Sequence, residues 1–186
     1  MKINAGEIRV GMLLEYKNDL WLVLKTQHVK PGKGGAFAQV EMKSVGKNTK
    51  INERFRSNET VEKASLEETD FNYLYDDENN YIFMDPKTFE QIEIKKDIAG
   101  EKGKLLTENL EVKVSFHNEN PISLELPNQV KCKIETTDVA LKGQTVSSSY
   151  KPATLDNGLN IQVPPFIDSG DEVIVDTRTL EYIKKI

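Results

Sequence analysis

Apolar and polar positions alternate along most of the chain, and this two-residue period predicts strands nearly throughout. "MLLEY" (12–16) and "LWLVLKTQHV" (20–29) are apolar runs divided by Lys17-Asn18-Asp19, a polar triplet of the kind that closes a turn. "AFAQVEMKSV" (36–45) sets Phe37, Gln39 and Glu41 on one side and Ala38, Val40 and Met42 on the other. "KINERFRS" (50–57) alternates again. Short strands at this spacing predict a small barrel, closed so that no edge is left unpaired.

Further along, "FNYLYDDENNYIFMD" predicts two aromatic-rich strands, with Phe71, Tyr73 and Tyr75 on the first and Tyr81 and Phe83 on the second, across the polar loop "DDENN". "KVSF" and "ISLEL" supply more strands, and "KKDIAGEKGKLLTEN" between them predicts a short helix or a structured loop. In the last third, "VKCKIETTD", "ATLDNGLNIQVP", "DEVIVDT" and "LEYIKKI" are strands punctuated by Gly143, Gly158 and Gly170. Breaks in charge and turn residues divide the chain into 1–63, 64–127 and 128–186. Each piece is short for independent folding, so the first two are expected to share packing.

Charge sharpens that division. The net charge is −5, yet residues 1–63 carry 12 Lys and Arg against 7 Asp and Glu, and residues 64–127 carry 6 against 15. A basic first third follows phosphates while an acidic middle is repelled by them, which would orient the chain on RNA. The same acidity also serves ordinary solubility, and charge alone leaves both readings open. No apolar run approaches the length that crosses a bilayer, and the N-terminus lacks the form of a signal peptide. The single cysteine, Cys132, precludes an internal disulfide and fits a reducing compartment, so a cytoplasmic location with no membrane partner is expected.

Catalytic constellations are not found. A phosphate-binding P-loop needs G-x-x-x-x-G-K-[ST], whereas Lys33 is followed by Gly34 and Gln27 stands where the first glycine belongs. Cys132 lies in an alternating strand and reads as an inert buried thiol. His28 and His117 have no partner spacing for nucleophilic catalysis or for a metal, so no catalytic residue, metal or cofactor is expected.

One stretch stands apart: "HVKPGKGGAF", where Lys33 sits between Gly32 and Gly34 on a loop joining two strands. Pro31 stiffens the approach, and Gly32, Gly34 and Gly35 strip side chains from around the tip. An out-and-back excursion over residues 30–36 reaches about 10 Å, and the lysine adds its own stem. This describes a narrow cationic probe, and it equally describes an ordinary glycine-rich hairpin with a solvated lysine.

The sequence resembles the bacterial elongation factor P family over its whole length. "VKPGKGGAF" is similar to the family's lysine-bearing loop, and residues 150–183 are similar to its C-terminal signature, through Lys151, Ala153, Gly158, Val163, Pro164, Phe166, Ile167, Gly170, Asp171, Val173, Val175, Asp176 and Thr177. The resemblance implies an all-β protein: an N-terminal SH3-like (KOW-type) barrel followed by two OB-fold barrels in an L-shaped, tRNA-like arrangement. It implies a non-enzyme that binds both ribosomal subunits and their RNA beside peptidyl-tRNA and relieves stalling at consecutive prolines. Lys33 would be the tip residue, extended by a modifying enzyme through β-lysylation or a similar reaction. Pro31, Gly32, Gly34 and Gly35 would support it, and Lys30 would contact RNA. Gly143, Gln144 and Thr145, within "KGQTVSSSYKP", would approach the small subunit and messenger RNA at the exit site. Gly35 departs from the glutamine common in the family. Two rival readings are a paralogous factor with other stalling targets and a general OB-fold RNA-binding protein, which would line a groove with Phe71, Tyr73, Tyr75, Tyr81 and Phe83.

Overall fold

The structure is a computed structural model and describes residues 1–139 and 149–186. It is all-β apart from a single helical turn and two short 3₁₀ segments. Among the described residues no helix is long and apolar enough to cross a membrane. Residues 1–68 with 115–122 form one compact unit, and residues 69–114 with 123–186 form another.

Six strands make the first sheet: β1 (Lys2–Asn4), β2 (Leu13–Tyr16), β3 (Asp19–Val29), β4 (Phe37–Ser44), β5 (Lys50–Arg56) and β6 (Thr60–Ala64), in the order β1-β6-β2-β3-β4-β5 with every neighbour antiparallel. The alternation expected in β4 holds: Ala38, Val40 and Met42 are fully buried, while Phe37, Gln39 and Glu41 face outward. Their buried face packs with Ile8, Leu14, Trp21, Val23 and Phe55 into one core. Lys17 and Asn18 close the β2–β3 hairpin as a two-residue turn, both at positive φ (50° and 59°), a shape that matches strand twist. Two strands were not anticipated. β1 and β6 are three and five residues long, too short for an alternating pattern to declare itself.

The second sheet contains β7 (Glu67–Asp76), β8 (Asn80–Met84), β9 (Gln91–Lys95), β10 (Glu111–His117) and β11 (Asn120–Glu125), ordered β11-β10-β7-β8-β9. The expected polar loop closes β7 to β8, where the Asp77 carboxylate accepts from the amides of Asn79 and Asn80 at 2.9 and 2.8 Å. Between β9 and β10 the chain makes one turn of helix, α1 (Lys96–Ala99), and a 3₁₀ segment (Gly100–Leu105), as the short-helix expectation had it. Gly103 in that segment is buried directly against the Tyr81 ring; a Cβ there would lie 2.4 Å from the phenolic oxygen.

The third sheet, β14-β13-β12-β15-β16, is built from β12 (Gln129–Thr137), β13 (Lys151–Leu155), β14 (Asn160–Val163), β15 (Glu172–Asp176) and β16 (Glu181–Lys185). Ile134, Leu155, Val163, Ile167, Val173 and Val175 are fully buried there.

Candidate functional site

The hairpin that carries Lys33 is rooted in the longest ladder of the first sheet. β3 and β4 pair from Trp21↔Ser44 to Val29↔Phe37, with one bulge between Val23 and Lys25 that adds local twist. β5 supports β4 up to the base of the loop, at Phe37↔Arg56, whereas β2 flanks β3 only over Asp19–Leu22. The stem is therefore anchored by the buried face of β4 and braced on one side along its full length.

Seven residues, 30–36, connect the two strands, and all of 30–35 are exposed. Ala36 ends the excursion by accepting a hydrogen bond from the Ser57 amide at 2.9 Å. Lys33 makes no hydrogen bond or ion pair among the described residues, so its cation is free for a partner. The glycines around it are not equivalent. Gly34 has φ +123°, a conformation L-residues rarely adopt, and its hydrogen faces Pro31, whose Cγ would stand 3.7 Å from an added Cβ. Gly32 and Gly35 have open space where a Cβ would be. Their smallness answers to nothing inside the fold; it leaves the tip thin. A side chain at position 35 in place of the glycine would likewise meet nothing in the chain itself.

Beside the stem the sequence reading missed a group of arginines. The Arg54 guanidinium lies over the Phe37 ring, 3.4 Å from its centroid. Arg56 stands two residues on, on the same face of β5, and is exposed. Arg9 donates to the carbonyls of Gly6 and Ile8 at 3.1 and 2.8 Å and lies 3.3 Å from His28 Nε2. Since a guanidinium only donates, His28 Nε2 is the acceptor there. The signal for Arg54 and Arg56 was present in the alternation of "KINERFRS", which buries Phe55 and turns both neighbours outward.

The remaining chemistry-bearing residues have structural roles. Cys132 is buried, and desolvation first, then the charge of Asp156, pushes its thiol up to about 11. His117 is tied through Nδ1 to the Ser65 carbonyl at 2.9 Å and receives the Asn118 side-chain amide on Nε2 at 3.3 Å. Among the described residues no group of three or more His, Cys, Asp or Glu side chains is placed to hold a metal. Of the five aromatics considered for a base-stacking groove, Phe71, Tyr73, Tyr81 and Phe83 are buried, Tyr73 meeting Tyr81 and Phe83 edge to face, and only Tyr75 is exposed. Gly143, Gln144 and Thr145 lie outside the described residues.

A basic barrel that presents a lysine-tipped hairpin, followed by two further antiparallel sheets, is the architecture of a class of translation factor made of a KOW-like domain and OB domains. Family models match in that order: "Elongation factor P (EF-P) KOW-like domain" over residues 4–61, "Elongation factor P (EF-P) OB domain" over 66–124 and "Elongation factor P, C-terminal" over 130–185. Elongation factor P of Pelagibacter ubique is 79% identical over 186 residues, covering 100% of both chains. That of Bartonella bacilliformis is 50% identical over 186 residues, covering 100% of this chain and 98% of its own. Among solved structures, eukaryotic translation initiation factor 5A from Methanococcus jannaschii aligns at TM-score 0.48 and 20% identity over 68% of this chain and 92% of its own, a likeness too weak to carry weight. The chain belongs to the elongation factor P family and is a translation elongation factor.

Proposed function

We propose that the protein binds the ribosome beside peptidyl-tRNA and delivers Lys33 toward the CCA end, speeding peptide-bond formation where consecutive prolines stall it. The observation that carries this reading is the hairpin: a free cation on a glycine-thinned tip, raised on a ladder anchored in the barrel core. Proline reacts slowly in peptide transfer because its ring restricts the approach of the nitrogen. Holding the peptidyl-tRNA end in a reactive arrangement lowers the entropic part of that barrier, and about 2.7 kcal/mol gives a hundredfold in rate. A thin cationic arm performs this by fixing phosphates and the terminal ribose, with no proton transfer of its own. The peptidyl-transfer chemistry then belongs to ribosomal RNA, and the protein is a positioning factor and not an enzyme.

Lys33 is on this reading the target of a lysine-modifying enzyme. β-lysylation turns the ε-ammonium into an amide and adds the two amines of β-lysine, so the arm grows longer and stays cationic. The free, exposed lysine supports this, since nothing among the described residues competes for it. No membrane partner is involved, and the site of action is the cytoplasm.

The test is synthesis of a peptide with three consecutive prolines on purified ribosomes, with protein taken from native cells. Wild type accelerates the proline steps and Lys33→Ala does not, while both leave a proline-free template unchanged. Intact mass of the native protein shows an added group at residue 33. A fully active Lys33→Ala variant overturns the proposal. The general RNA-binding alternative is disfavoured because four of its five candidate stacking aromatics are buried.

A further inference from the structure

The hairpin's base holds an open cleft walled by Gly35, Phe37, Arg54, Arg56, Ser57 and Asn58. Its two cations are unspent: neither Arg54 nor Arg56 has a carboxylate partner for its guanidinium among the described residues. The nearby acids bind groups other than these two guanidiniums. Glu53 pairs with Lys17 at 2.8 Å, and the Glu59 carboxylate accepts from the Arg56 backbone amide at 3.2 Å. The Ser57 hydroxyl and the Asn58 amide are likewise without hydrogen bonds among the described residues, so neutral donors stand beside the charged ones.

The cleft is also held in shape. Ser57 is fixed at both ends of its backbone, its amide donating to Ala36 at 2.9 Å and its carbonyl accepting from Gly6 at 3.1 Å. Arg54 is held over the Phe37 ring by the contact described above, which restrains its guanidinium beside the cleft. Arg54 and Arg56 project from one face of β5 about 7 Å apart, the rise of two strand residues. That separation suits two successive phosphates of one strand better than a single compact anion. The outer face continues across the sheet through Gln39 and Gln27, which pair directly, and Lys25, which is opposed by Glu41.

We propose that this cleft is a binding site for the phosphodiester backbone of an RNA strand, with Arg54 and Arg56 each on one phosphate. The inference rests on the ribosomal reading above and divides its labour. Arg54 and Arg56 set how tightly the factor binds and how the hairpin is aimed, and Lys33 sets how fast the bound complex reacts.

The experiment compares wild type, Arg54→Gln/Arg56→Gln and Arg54→Lys/Arg56→Lys by co-sedimentation with ribosomes across a salt series, and by titration of proline-stimulated synthesis. Loss of two phosphate contacts lowers the slope of log K against log salt by about 1.4, at about 0.7 per contact for a single strand. It raises the half-saturating concentration about tenfold or more, with the maximal rate little changed. The lysine pair restores the salt slope, and Lys102→Gln/Lys104→Gln, which removes equal charge from exposed residues of the other unit, leaves both values at wild type. A wild-type slope and half-saturation in Arg54→Gln/Arg56→Gln overturns the inference alone. So does an equal loss in the Lys102/Lys104 control. Failure of the wild type itself to bind ribosomes removes the ribosomal reading together with this one.

Discussion

Replacing Gly34 by alanine tests whether the hairpin's shape, and not only its lysine, is needed. At φ +123° an L-residue sits outside its allowed regions, and such strain costs about 1–3 kcal/mol. The added methyl meets only Pro31 Cγ at 3.7 Å, an ordinary contact, so the cost is conformational and not steric. The loop is exposed, so it relieves the strain by changing shape, and the barrel's melting temperature stays near wild type. If the observed shape is the one that acts, the competent fraction falls about 5- to 150-fold, the Boltzmann equivalent of that cost. Proline-stimulated synthesis, titrated with protein, reads this as a rise of that size in the half-saturating concentration. D-alanine installed at 34 by chemical ligation supplies the decisive comparison, because it carries the same methyl but favours positive φ. It is expected to retain most of the activity. Equal behaviour of the L- and D-alanine proteins refutes the backbone argument.

Three further outcomes follow from the packing and ionisation described. Gly103→Ala drives a methyl into the Tyr81 ring, an overpacking of about 1–3 kcal/mol, and lowers the melting temperature by about 2–12 °C; the same change in a Tyr81→Ala background costs much less, and equal costs in the two backgrounds contradict the clash. Cys132, with its thiol at about 11, stays protonated and resists alkylation at pH 8 in the folded protein, reacting at the rate of a free thiol only in denaturant; fast labelling of native protein contradicts its burial. Asp176 is held at about 2, first by the Arg178 side chain and then by the Arg178 amide. Its folded value lies below its unfolded one, so the stability it lends is full above pH ~4 and fades as pH falls toward 2. Asp176→Asn therefore flattens the acid limb of a stability-against-pH curve in that window, and an unchanged limb contradicts the assignment.

Much of this was legible because two-residue alternation is a strong signal wherever one face is buried. In β4 it separated Ala38, Val40 and Met42 from Phe37, Gln39 and Glu41 without error, and in "LWLVLKTQHV" and "KINERFRS" it placed the strands that flank the site. The exposed loop and its lysine were legible too, since proline and glycine mark such connections. The sequence was silent where the determinant is a contact between distant segments. β1 and β6 are strands because they find each other at Ile3↔Val61, a pairing that local pattern cannot announce. Four residues around Lys33 looked alike as loop formers, yet only Gly34 is required by backbone geometry. The stacking of Arg54 on Phe37 depends on the β4–β5 register, which sets Phe37 opposite Arg56 and Gln39 opposite Arg54.

The tip from Lys30 to Gly35 is exposed and owes its position to the stem. Chemistry at residue 33 is thereby insulated from the architecture that carries it. A longer appendage, a different cation or a neutral one can be mounted there with the barrel none the wiser. Selection is free to exchange the tip residue while the stem stays as it is.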